Sequence, residues 1–499
     1  MIIIRIAHEL SSAASPGPGP RSRMAVETPI PTREIPAPRG IVPVLATVGI
    51  SVALMQTLIV PILPRLPVLV GATPQNTSWA VTATLLAGAV VTPISGRLGD
   101  MFGKRRMLLA SLATMVLGSA VCALSSTLIP LVVGRTLQGA AVGAIPLGIA
   151  ILRDELPPRR LPGAMATISA TMGVGGAIGL PLAAFVAQAT DWHMLFVASL
   201  VLGLVGIAAI LLVVPESSRR NPGRFDIAGA LALSVALVLL LLPVTKGNDW
   251  GWASPATLGM LAGALVVFLG WGLYELRVPR PLVDLRLSAR RPILMTNLAS
   301  VALGFSMYSN ILAFPQLLMA PVETGYGFGQ TMVTAGIALA PAGIVMMALS
   351  PVSARITTRF GARVTLGCGA VFVGLGYLMA YVLYREVWHI VGASMLIGAG
   401  VGLAYAAMPA LIMGAVPLRE SAAANSLNTL MRSIGTTSAA AVIGVILAAM
   451  TQQIGDAVVP ALGAFRATFL VAVAAAALAL VFTALIPSAG RTLRAADEI

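Results

Sequence analysis

The chain has 499 residues, 58% of them hydrophobic and 10% charged. That charge content is far below the roughly 25% of an ordinary globular protein and excludes a soluble domain of this size. The formal charge of +14 raises nucleic acid as a partner, but basic loops without interleaved aromatic residues exclude that class.

In chain order, the first segment is polar and turn-rich. Met1–Ile4 is too short to be the core of a secretory signal, and residues 11–40 are rich in Pro, Ser and Ala. Residues 1–40 therefore read as a disordered tail, within which Met24 is an alternative start. Apolar runs follow near 41–63, 77–96, 107–126, 130–151, 163–188, 194–214, 226–245, 255–275, 292–314, 330–352, 364–384, 389–412, 427–450 and 466–487. Each is long enough to cross the ~30 Å hydrocarbon core of a bilayer. The fold expected is all-α and integral to the membrane, with fourteen spans and a short tail over 488–499. With both termini in the cytoplasm, Arg65, Lys246, Arg385 and Arg466 fall outside, Arg135 and Arg432 fall inside spans, and every other Lys and Arg lies in the cytoplasm. That bias fixes the orientation in a cytoplasmic membrane and explains the basic balance. Cys122 and Cys368 sit in apolar spans of opposite halves and read as small hydrophobes, not as a disulfide.

Between the second and third runs lies Gly96-Arg-Leu-Gly-Asp100-Met-Phe-Gly103-Lys-Arg-Arg106. Pro93–Arg105 aligns with Pro351–Arg363 at Pro, Ser, Arg, Phe, Gly and Arg, so the chain contains an internal repeat. The second copy carries Thr358 where the first has Asp100. The motif resembles the signature loop of the major facilitator superfamily. That resemblance implies two pseudo-symmetric six-helix bundles, 41–214 and 292–487, around a central cavity. The runs at 226–245 and 255–275 would then be inserted between them, in a linker spanning 215–291. Phe225-Asp226-Ile-Ala-Gly229 and the Pro-rich stretch 275–286 resemble the fourteen-span drug:proton antiporters in particular.

The resemblance implies an exporter of small amphipathic drugs or metabolites, working by alternating access and driven by a proton gradient. It implies no cofactor, metal, catalytic residue or enzymatic activity, and a monomer whose partners are substrate, protons and lipid bilayer. Gly96, Arg97, Asp100, Gly103 and Arg105 are implied as a charge relay latching the halves, with Gly99 and Gly103 permitting the turn. Leu131–Gly143 resembles the fourth-span motif of such exporters. It makes Arg135 and Gln138 candidates for coupling, since a charge inside a span is costly and marks function. Gly139 and Gly143, and Gly175, Gly179 and Pro181 in the Gly- and Pro-rich fifth span, read as close-packing positions. There Leu180 stands at the usual proline, with Pro181 one residue late.

The first span departs from the family pattern. Met55 stands at the usual acid and Val60 at the usual Asn. None of the eighteen Asp and Glu residues falls at mid-span. Asp191 and Glu323, near exterior ends, are the remaining candidates for proton entry. Deep positive charge without acid points to neutral or anionic substrates. It also keeps open a proton-independent carrier or importer. Polar and aromatic residues in apolar spans give the candidate cavity: Gln56, Thr57, Trp79, Tyr308, Asn310, Gln316, Tyr405 and Asn428. A membrane enzyme would need clustered acids or His, and His8, His193 and His389 are far apart.

Overall fold

The computed structural model describes residues 40–487, apart from 60, 61, 64, 217–219, 222 and 456. The expected tails at 1–40 and 488–499, the alternative start at Met24 and the position of Val60 lie outside the described residues, with Gly40 the exception.

Among the described residues, twelve helices are long and apolar enough to cross a membrane. In lipid every backbone N–H and C=O must be satisfied within the segment, and a helix does this. The longer helical segments, some of which join into one span and two of which, α1 and α6, are outside the twelve, begin with α1 (Ile41–Thr57), α2 (Trp79–Phe102), α3 (Lys104–Ala123), α4 (Leu128–Ala140) and α5 (Ala144–Glu155). They continue as α6 (Leu161–Ala189), α7 (Met194–Val213), α8 (Ile227–Trp250) and α9 (Pro255–Glu275). The later ones are α10 (Arg291–Met319), α11 (Met332–Ala348), α12 (Ser350–Phe360) and α13 (Ala362–Val382). Last come α14 (Val387–Ala415), α15 (Ser421–Ala449) and α16 (Leu462–Ala484).

Three departures from the sequence reading have physical causes. The signature segment expected as a loop is helical to Phe102, and only Gly103 breaks it, at φ 115°. Gly99, expected to permit the turn, lies inside α2 against Leu147. The repeat does the same: α12 runs to Phe360 and Gly361 turns at φ 90°. The fourth run divides into α4, a 3₁₀ turn at Ala141–Gly143, and α5. Gly143 there presses on Ser95 so closely that a Cβ would overlap its hydroxyl. An unexpected hairpin, β1 (Thr451–Ile454) and β2 (Ala457–Pro460), joins α15 to α16, with Thr451 paired to Pro460 and Ile454 to Ala457.

Helix α1 packs on α6, and α4 packs between α2 and α3, which also meets α7. In the later part, α10 packs on α15 and α16, and α13 on α14 and α16. Small residues allow these close approaches: Gly118 faces the Gly134 backbone, and Gly369 faces Gly400. Phe314, Tyr377 and Phe469 fill the later core, Phe314 and Phe469 edge to face with centroids 5.4 Å apart. Contacts of α6 with α11 and α14, and of α2 with α15, join the first set of helices to the second. The α8–α9 pair sits on α2 and α15 through α8. The two cysteines are unpaired, Cys122 buried and Cys368 half-buried.

The backbone of Gly103 makes a stability prediction. A side chain at this φ costs about 1–3 kcal/mol, and a Cβ would also run into the Glu216 carboxylate, which pairs with Arg106 at 3.4 Å. Gly361 has the same backbone constraint with nothing near its would-be Cβ. Gly103→Ala is therefore expected to lower the thermal midpoint of the purified protein at least as far as Gly361→Ala. A Gly103→Ala midpoint equal to wild type would refute this.

Candidate functional site

The first site element is a seam at the basic ends of the helices. Asp100, in the last turn of α2, is fully buried. Its Oδ2 accepts from the Ala423 N–H at 2.8 Å and its Oδ1 from the Ala422 N–H at 3.2 Å. These are among the unpaired donors at the start of α15, where the helix dipole favours an anion. Lys104 opens α3, also fully buried. Its Nζ donates to Asp154 Oδ2 at 2.7 Å and Ser421 Oγ at 3.0 Å, and lies 3.9 Å from Asp100. At the end of α5, the Arg153 guanidinium donates to the Met413 carbonyl, to Val416 O at 2.9 Å and to Pro417 O at 3.5 Å. A cation thus sits at the C-terminus of α14 while an anion sits at the N-terminus of α15, each matching the local dipole. Gly96 makes the approach possible, since a Cβ there would overlap Ser426 and the Ala422 carbonyl.

Of the predicted relay, Gly96, Asp100 and Gly103 stand at this seam. Arg105 does not cross it: its Nη2 donates to Leu211 O at 2.8 Å, within the first set of helices. Arg97 is half-buried and lines a cleft with Arg280 and Arg419. Sequence reasoning missed Lys104, Arg153 and Asp154. The i, i+4 spacing of Asp100 and Lys104 was the available signal for Lys104.

The second element is Arg135, 1% exposed. Its Nη1 donates to Gln138 Oε1 at 2.7 Å and to Met55 O at 3.1 Å, and its Nε to Ala80 O at 3.1 Å. Gln138 Nε2 in turn donates to Ser119 Oγ at 2.8 Å. Arg135 therefore ties α4 to α1 and α2 through carbonyls and an amide. Met55 supplies its main-chain oxygen, with its sulfur at 3.9 Å.

The third element is a cavity of about 200 Å³ between the two sets of helices. Gln56, Thr57, Tyr308 and Tyr405, all predicted, line it, together with Arg135 and Arg432. The Arg432 guanidinium lies over the Tyr405 ring, 4.6 Å from its centroid. The Tyr405 hydroxyl is 3.0 Å from Met307 Sδ, and its main-chain oxygen accepts from Ser169 of α6 at 2.8 Å. A second void of about 130 Å³ adjoins, sharing Thr57, Met172, Met307 and Ile311, and here Asn310 lines the wall. Asn428 and Gln316 line neither void. Asn428 is buried and donates to Asn297 Oδ1 at 2.9 Å and Ser300 Oγ at 2.7 Å, so it pins α15 to α10. Trp79 lies beneath Lys246, 5.2 Å from its ring centroid, away from both voids.

Packing positions meet neighbours as their size requires. A Cβ on Gly139 would overlap the Thr84 main chain, one on Gly175 would overlap Ala53, and one on Gly179 would overlap Thr57. Pro181 lies within α6 and faces Gly336.

The expected proton-entry acids are outside the cavity. Glu323 is exposed in the 3₁₀ turn Val322–Thr324. Asp191 is exposed between α6 and α7, accepting from the His193 N–H at 2.8 Å and pairing with His193 Nδ1. The His193 N–H, then its ring, hold the Asp191 carboxyl below the usual carboxylate value. A lowered folded-state value gives stability that is present above the unfolded value and lost as pH falls through the folded one. Asp191→Asn is therefore expected to remove part of the acid limb of the stability–pH profile and to leave the profile near neutrality unchanged in shape. An unaltered acid limb would contradict the pairing.

A helical membrane protein whose two sets of helices meet over a central cavity and are hydrogen-bonded to each other at one end has the build of a polytopic carrier. The Major Facilitator Superfamily model matches residues 45–271 and 294–497, and the chain belongs to that superfamily; it is a membrane transporter, not an enzyme. It is 28% identical over 427 residues to the tetracenomycin C resistance and export protein of Streptomyces glaucescens, covering 83% of this chain and 77% of that protein. It is 24% identical over 395 residues to the multidrug transporter protein MdtP of Bacillus subtilis, covering 78% and 72%. Its fold is similar to that of the human organic anion transporter MFSD10 (TETRAN), with TM-score 0.63, 15% identity, and coverage of 90% and 99%.

Proposed function

We propose that this chain exports small amphipathic drugs or metabolites across the cytoplasmic membrane by alternating access, in exchange for protons. The observation that carries this reading is the central cavity, walled by both sets of helices, with Asp100 of α2 accepting from the first N–H groups of α15 at the basic end. The relatives named for resistance and export support the direction. In this reading the basic end is cytoplasmic, as the distribution of Lys and Arg favours, and both termini lie there. Helix α1, a shorter apolar helix, and α6, 29 residues long, bring the spans to fourteen. Two bundles of six then move about the cavity as a monomer, with α8 and α9 carried alongside. Arg97 joins the latch when the cytoplasmic cleft closes. Arg135 and Gln138 couple α1, α2 and α4, while Asp191 and Glu323 meet protons at the exterior.

A proton-independent carrier is the second reading. It is favoured by one observation: neither void is lined by a carboxylate among the described residues. Efflux of a dye and antibiotic panel from energised cells, with and without an uncoupler, separates the two. Collapse of efflux on uncoupling is expected for the exchanger; efflux that persists down a substrate gradient alone supports the carrier.

A further inference from the structure

We propose that the central cavity holds an anion-recognition site centred on Arg432, fitted to an amphipathic molecule that carries a carboxylate beside an aromatic ring. The proposal rests on the transport reading and deepens it by naming the substrate class.

The two arginines inside spans are in opposite states. Arg135 spends its donors on Gln138, Met55 and Ala80. Arg432, 8% exposed, lines the cavity and has no hydrogen bond or ion pair among the described residues. A guanidinium withdrawn from water needs a counter-charge or a full set of acceptors. The face of Tyr405, 4.6 Å away, supplies a part through its ring quadrupole. It occupies one face of the guanidinium and leaves the planar fork of N–H donors free, and that fork matches a carboxylate. No Asp or Glu lines the cavity among the described residues, and the other charged residue in its wall is Arg135. The local field is therefore positive in a poorly solvated space, which attracts anions and opposes lipophilic cations.

The rest of the wall suits the apolar body of such a molecule. Met172, Met307, Tyr308 and Ile311 face the void, and thioethers adapt to varied shapes. The adjoining void continues this apolar surface past Asn310. Gln56, contributed by α1, has no hydrogen bond among the described residues and offers a second polar group to the cavity from the first set of helices. Arg432 also lies on α15, the helix whose first N–H groups hold Asp100. An anion on Arg432 thus engages the same rigid element as the latch.

The test uses the full chain in lipid nanodiscs and two fluorescent probes, carboxyfluorescein as aromatic anion and ethidium as aromatic cation. Binding is read by fluorescence anisotropy. Wild type is expected to bind carboxyfluorescein more tightly than ethidium. Arg432→Gln should weaken the anion by about thirtyfold or more, since one partner of a desolvated charge pair is lost. Arg432→Lys should recover part of the affinity, because the charge returns without the fork. The thermal midpoint of Arg432→Gln without probe should be no lower than that of wild type, because an unpaired buried charge is removed and no hydrogen-bond acceptor is orphaned. Equal anion binding by wild type and Arg432→Gln overturns the proposal, as does a wild-type preference for ethidium or a wild type that binds neither probe. The same probes in everted vesicles keep the two readings apart. Tight carboxyfluorescein binding with no movement across the membrane sinks the export reading and leaves the anion site. Transport of ethidium without anion binding does the reverse.

Discussion

Asp100→Ala is expected to cut transport about tenfold or more while the protein still folds and inserts. The two N–H groups of α15 lose a charged acceptor, and hydrogen bonds to charged groups contribute about 1.5–3 kcal/mol each. The contacts join the two sets of helices at the basic end. Under the proposed alternating access, their loss weakens the conformation closed at that end and spares the open one. A loss of about 3 kcal/mol shifts the latched population about a hundredfold. Asp100→Asn should fall between, since its carbonyl oxygen can still accept from one N–H. Lys104 keeps Asp154 at 2.7 Å, so no cation is stranded by either change. Initial rates of substrate export in cells, normalised to membrane protein, read the effect; a rate equal to wild type for Asp100→Ala would remove the latch from the account.

Arg135→Met is expected to destabilise the whole protein, in contrast to Arg432→Gln. Met55 O and Gln138 Oε1 lose their Arg135 donor, while Ala80 O keeps the Thr84 hydroxyl at 3.0 Å. At about 1–3 kcal/mol per unsatisfied buried group, two such groups cost about 2 kcal/mol or more. Arg135→Lys should recover little, because one ammonium cannot serve acceptors spread across a planar fork. The thermal midpoint in detergent and the yield of folded protein report this. Unchanged midpoints for both variants would show that the network adds nothing to the fold.

How much of this was legible in the sequence follows from the range of the interactions. A span must be apolar over about 20 residues whatever it packs against, so its existence can be read locally. The seam is not local. Asp100 meets Ala422 and Ala423, and Arg153 meets Val416, across hundreds of residues. The signature segment pointed to Asp100, which reaches α15, and to Arg105, whereas the neighbouring Lys104 is the basic residue that bonds at the seam. That one-residue difference is set by Gly103: the turn makes Lys104 the first, buried residue of α3 and sends Arg105 toward Leu211. Within the cavity, Gln56, Thr57, Tyr308 and Tyr405 stood out as polar or aromatic residues in apolar runs. Asn428 stood out equally, yet it is satisfied by Asn297 and Ser300 inside its own set of helices. Composition cannot separate a polar group that lines a void from one that bonds to its neighbour. Arg432 was visible as a charge in a span, but that it has no hydrogen bond or ion pair among the described residues, only the Tyr405 ring, appears when the surrounding helices are in place.

The most direct measurement of the central claim is the distance across the basic end in the membrane. Spin labels on cysteines at Phe102 and Arg419, both exposed and on opposite sides of the seam, would be measured by pulsed electron resonance with Cys122 and Cys368 replaced by Ala. Alternating access predicts a short distance that dominates in wild type and a longer population that grows in Asp100→Ala. A single unchanged distance in both proteins, with and without substrate, would contradict it.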